Sequence, residues 1–279
     1  MKFRVIKVIT ILIFSFNILR FTNAQVVTCS TVVDSAQIKF ENNITDSITT
    51  LIPLNRTFNI TVYVVKYSGS DQTGVNPNDI NQYIAEVNQA FEPIKVTFQI
   101  GSYDTIDNYQ LDYIRQAVNE KDLTSRYFQL NTINLYLVSQ LTDKTNKTTC
   151  AYTYYPSARK DMIFMAKNCV SGVLLTEQLG HFFNLYHTHE TAFGLELVNE
   201  SNCSTAGDLC CDTYAQPDLS GKVTDCKYSS SVKDPNNQLY QPSVKNYMSA
   251  APQDCRCFFS KEQYIRMLNA MVLFKNYLW

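Results

Sequence analysis

Between residues 58 and 67 the chain reads FNITVYVVKY, with Ile60, Val62 and Val64 in alternation among β-branched residues, and this predicts a strand. After a Gly- and Asp-containing loop, Asn76 followed by Pro77 forms a helix start. Ile80, Ile84, Val87 and Phe91 then recur on one face, so a helix of about four turns is expected, stopping at Pro93. Val96, Phe98 and Ile100 alternate in the next strand, Ile133, Leu135 and Leu137 mark a third, and 162–165 a short fourth; 109–118 predicts a shorter helix. The stretch 173–190, VLLTEQLGHFFNLYHTHE, predicts an apolar helix ending in a turn. Beyond it the chain becomes rich in Cys, Gly, Asp, Asn and Ser until a last helix from Ser260, with Ile265, Leu268, Met271 and Val272 apolar. Strand, helix, strand, helix, strand, strand, helix is an α/β order with a mostly parallel sheet.

The N-terminus follows a different pattern. Lys2, Arg4 and Lys7 precede an apolar run over 8–19, and small or polar residues lead to Ala24, as in a secretory signal peptide cut after Ala24. No later stretch is long and apolar enough to span a bilayer. The expected organisation is a signal peptide at 1–24, a polar leader or strap at 25–56 and a domain at 57–279, with an N-terminal lobe at 57–187 and a C-terminal lobe at 188–279. Cleavage leaves 20 Lys plus Arg against 25 Asp plus Glu, a net charge near −5 without a basic block, which argues against nucleic acid or anionic membrane as partner. All nine cysteines, at 29, 150, 169, 203, 210, 211, 226, 255 and 257, lie beyond the cut, in keeping with a secreted, extracellular protein. The odd count leaves one thiol free or paired outside the chain. Sequons at Asn43, Asn55, Asn59, Asn146, Asn199 and Asn202 fit a glycoprotein.

The apolar helix holds the candidate chemistry. His181 and His187 are two of the three histidines, and Glu177, four residues before His181, shares its helix face. The stretch resembles the zinc helix of metzincin metalloproteases, whose pattern H-E-x-x-H-x-x-G-x-x-H supplies three zinc ligands and a general-base Glu. On that pattern His181 takes the second ligand position, His187 the third and Glu177 the first. Gln178 replaces the catalytic carboxylate, and Asn184 replaces the turn Gly. Asn is the residue after Gly that best tolerates the left-handed end of a helix.

Further on, NCSTAGDLCCDTYAQPDLSG, Cys226 and NYMSAAPQDCRCFFSKEQYIRM resemble the C-terminal lobe of the pappalysin (cytophagalysin) branch of metzincins. The resemblance puts Met248 at the Met-turn beneath the metal ligands, Asp208 and Asp212 in a G-D-x-x-C-D-T segment, and Ala250 where a Tyr is common. It implies a Cys226–Cys255 disulfide, with Cys203–Cys211 and Cys150–Cys169 as expected loop closures. Cys29 in the leader resembles the thiolate switches that block zinc in several metzincins, but is expected in a structural disulfide. His189 is expected to face solvent from a loop.

Two readings of Glu177 stay open: a ligand in a Glu/His/His zinc site, or a salt-bridged residue in a former metal cleft. Gln178 cannot take a proton from water near neutral pH, and loss of a general base costs on the order of a hundred- to ten-thousand-fold in rate. The expected protein is therefore a secreted metallopeptidase homologue with impaired catalysis, a pseudoprotease that binds an extracellular peptide or protein in a retained cleft. An active zinc endopeptidase and a structural glycoprotein are the alternatives.

Overall fold

A computed structural model describes residues 28–67 and 72–279; the expected signal peptide and the first leader residues lie outside them. The described chain contains α1 (Ser35–Glu41), β1 (Arg56–Val65), α2 (Pro77–Phe91), β2 (Val96–Ile106), β3 (Tyr113–Arg115), α3 (Glu120–Thr124), β4 (Ile133–Val138), β5 (Gln140–Thr142), β6 (Ala151–Thr153), β7 (Met162–Ala166), α4 (Gly172–Phe182), a β8 (Val223–Thr224) and β9 (Lys227–Tyr228) hairpin, and α5 (Lys261–Phe274). The main sheet runs β2-β1-β4-β7-β6, parallel except for β6, which is antiparallel at one edge.

Both faces of this sheet are covered, so β4 and β7 are buried at every position, as parallel strands packed on two sides must be. One face carries a ladder of rings at matching register, Tyr63, Tyr136, Phe164 and Tyr152, with successive centroids 5.3, 4.8 and 4.9 Å apart. Each such pair adds about 0.5–1.5 kcal/mol beyond its buried area. On another side Phe58, Phe91, Phe98 and Phe183 join β1, α2 and β2 to the end of α4, and Trp279 closes edge-on against Phe58.

The helix expected over 109–118 does not form. Residues 109–111 make a single 3-10 turn, β3 pairs with β5, and Ala117 sits at a left-handed φ of 59°. Asp112 decides this: its carboxylate accepts the Ser139 N–H at 2.8 Å, a tertiary bond that outweighs weak helix propensity. The leader holds α1, which has no evident periodic signal; the Asp34 side chain caps it by accepting the Gln37 N–H at 2.9 Å.

The C-terminal lobe is mostly loop, held by its own cross-links. Disulfides join Cys150 to Cys169, Cys203 to Cys211 and Cys226 to Cys255, leaving Cys29, Cys210 and Cys257 as thiols. Three thiols are thus free rather than one, and the disulfide expected for Cys29 is absent. Ser260 and Gln263 form a capping box that starts α5.

Candidate metal centre

Helix α4 is buried nearly all round, as a helix apolar on every face must be. Ser171 opens it by accepting the Leu174 N–H at 3.1 Å. At its far end Leu185 N bonds Gly180 O at 2.9 Å, Asn184 N bonds His181 O at 3.0 Å, and Asn184 takes φ 72°. This is the Schellman closure with Asn in the usual Gly position. It turns the chain sharply enough to return His187 beside His181, with the two Nε2 atoms 3.1 Å apart. A Cβ on Gly180 would lie 2.6 Å from Met248 Sδ, so the missing side chain lets the fully buried Met248 pack against α4.

His181 Nδ1 lies 2.8 Å from Leu185 O, an atom that only accepts, so Nδ1 carries the hydrogen and Nε2 presents a lone pair to the site. Glu177 Oε1 lies 3.4 Å from His187 Nε2, and its other oxygen, Oε2, accepts from Arg256 at 2.6 Å. The fourth member comes from the strap: Cys29 Sγ is 3.5 Å from His181 Nε2. One ligand atom from each of Cys29, Glu177, His181 and His187 fits within a 4.8 Å span. Neighbouring donors in a tetrahedral zinc shell with bonds of about 2.0–2.3 Å lie roughly 3.3–3.8 Å apart, so the donor chemistry and spacing fit zinc.

Charge is tightly managed here. Burial pushes the Glu177 carboxyl up, but the Arg256 guanidinium and the His187 hydrogen bond outweigh it and hold the group at about 2. For His187, burial and His181 push down while hydrogen bonds to Cys29 and Glu177 raise it to about 9. Burial lowers His181.

Gln178 is fully buried and engaged by the strap: Oε1 accepts from Thr31 Oγ1 and Nε2 donates to Cys29 Sγ, both at 3.3 Å. The strap itself pairs with the edge strand, Cys150 N bonding Thr28 O at 2.9 Å and Ser30 N bonding Ala151 O at 3.0 Å. What remains of the cleft is a cavity of about 250 Å³ lined by Thr28, Cys29, Glu177, His187, His189, Ala250 and Arg256 among others. His189 is half-buried and stacks on His187 at 5.0 Å instead of facing solvent, and it is not among the clustered donors.

Sequence reasoning passed over three features. Arg256 sits inside the C-R-x-F-F run, and nothing in the sequence ties it to the carboxylate at 177. Thr31 had no signal beyond its closeness to Cys29. Glu196 is a buried acid whose carboxylate oxygens lack partners among the described residues, and it faces Asp208 of the G-D-x-x-C-D-T segment, which is buried as well.

Two fungal proteins align with most of the chain. An extracellular metalloprotease of Neurospora crassa is 28% identical over 233 residues, 76% of this chain and 74% of that protein. One of Arthroderma gypseum is 25% identical over 235 residues, covering 76% and 73%. The chain is related to extracellular metalloproteases. No family model matches it. The fold of this chain is metzincin-like: a promirolysin mutant of Tannerella forsythia superposes on it with a TM-score of 0.63 at 14% identity, over 90% of this chain and 96% of that one. Mature mirolysin of Tannerella forsythia with a cleaved peptide gives 0.55 at 14% identity, over 78% and 90%.

Proposed function

We propose that this is a secreted metallopeptidase-like protein that does not hydrolyse peptides efficiently, closes its metal site with its own N-terminal strap, and works by binding an extracellular peptide or protein once that strap is displaced. The observation that carries the reading is Gln178. Its amide stands at the general-base position and is bonded on both sides to the strap, through Thr31 and Cys29. A carboxylate there would accept from Thr31 but would have nothing to donate to the sulfur.

Zinc, when bound, would supply Lewis acidity and draw the donors together. Cys29, Glu177, His181 and His187 would hold it, and with all four engaged the shell is closed, as in structural rather than catalytic sites. His181 keeps its orientation through Leu185 O, and Met248 supports the helix from below. The match to the pro form takes in 90% of the chain against 78% for the mature form, which supports reading the strap as a pro-segment.

The test is cleavage of a peptide library by the wild type and Gln178→Glu, with zinc and with chelator, before and after limited proteolysis of the strap. The opened wild type is expected to retain peptides without chelator-sensitive turnover, and the opened Gln178→Glu to gain some. Chelator-sensitive turnover by the opened wild type would establish an active endopeptidase instead.

A further inference from the structure

The first ligand position carries a carboxylate where the resembled pattern has an imidazole, and the two groups need different neighbours. An imidazole offers one nitrogen to a metal and turns an N–H towards an acceptor; a carboxylate offers one oxygen and leaves a second that needs a donor. Arg256 is that donor. Its Nη1 donates to Glu177 Oε2 at 2.6 Å and also reaches Tyr247 O at 3.0 Å and Ser249 O at 3.3 Å, the residues on either side of Met248. Both side chains are almost wholly buried, at 4% and 5% exposure. The other oxygen, Oε1, faces His187 Nε2 at 3.4 Å.

We infer that Arg256 is a positioning residue matched to Glu177: by occupying Oε2 it presents Glu177 to a zinc-class cation as a one-oxygen ligand, and it ties that ligand to the Met248 turn. This rests on the reading that the cleft holds a metal, and it sharpens that reading to a four-donor shell of Cys29, His181, His187 and a single Glu177 oxygen. The pair also makes the site resistant to partial repair. Glu177→His would restore an imidazole but strand a buried guanidinium beside it, so the two positions must change together.

Cobalt(II) titration of the full chain reads the geometry without reference to peptidase activity. The wild type is expected to give intense d–d bands of four-coordinate cobalt with a thiolate charge-transfer band. In Arg256→Met the freed Oε2 can also bind, so d–d intensity should fall while the thiolate band stays; Cys29→Ser should lose the thiolate band. In parallel, Glu177→His should melt about 10 °C below wild type, and Glu177→His with Arg256→Met should recover much of that loss. An Arg256→Met cobalt spectrum identical to wild type, no cobalt bound by the wild type, or a double variant no more stable than Glu177→His would each overturn the inference. Peptide turnover by the wild type would overturn the binding-protein reading and leave this one standing.

Discussion

Asn184 serves the site twice. Its backbone takes the left-handed turn that returns His187, and its side chain accepts from Gln37 Nε2 at 2.8 Å and donates to Glu41 Oε2 at 3.2 Å. The sequence disclosed the first role, because Asn stands where the resembled pattern has Gly. It was silent on the second, whose partners lie more than 140 residues away. Asn184→Gly should therefore destabilise by about 1 kcal/mol, since relief of backbone strain only partly offsets the lost bonds. Asn184→Val should cost about 2 kcal/mol more, from the β-branched clash at positive φ. Urea unfolding of the two variants checks the order, and a glycine variant more stable than wild type would show that the contacts to α1 contribute nothing. The same distance effect hid Arg256: a basic residue between two cysteines has no local meaning until the fold brings it to Glu177.

Elements whose burial follows from their own periodicity were legible: β1, α2, β2, β4, β7, α4 and α5 all arise where the apolar pattern predicts them. α1 was not, because polar bonds to distant segments hold its inner side. Glu41 pairs with Arg266 at 2.5 Å and accepts the Tyr186 hydroxyl at 2.8 Å, and Arg266 lies over the Tyr186 ring at 4.7 Å. Glu41→Ala should leave the half-buried Arg266 without its ion-pair partner, keeping its bond to Asn184 O, at a cost of about 2–3 kcal/mol. It should also loosen the strap, seen as faster alkylation of Cys29 under native conditions. Unchanged alkylation with reduced stability would mean that α1 and the strand-like part of the strap detach independently. β3 failed for a related reason, Asp112 being committed to Ser139 and not to a helix.

At the scale of the molecule, acids buried away from the metal centre set a pH response. Burial, then Asp208, raises Glu196 to about 8; burial raises Asp208 to about 7 against hydrogen bonds from Thr213 and Cys210. Both groups hold their protons in the fold at pH values where the unfolded chain has lost them. Their contribution is thus complete below the ordinary carboxyl range and is lost as pH rises through about 7 and 8. In metal-free buffer the unfolding free energy should fall between pH 5 and 8, by at most about 1.4 kcal/mol per pH unit for each group and with a matching fall in melting temperature, and Glu196→Gln with Asp208→Asn should flatten the slope. A flat wild-type profile would mean that these carboxyls titrate normally. The strap has a consequence of another kind, because it is covalently part of the molecule it covers. Its concentration at the β6 edge is set by the connecting chain, of millimolar order for a short flexible tether, and dilution does not change it. A peptide from outside meets a seat already taken, so its apparent affinity is its intrinsic affinity scaled by the fraction of time the strap is away. A single cut between Thr31 and α1 would abolish that handicap, turning a weak binder into a strong one without altering any residue the ligand touches.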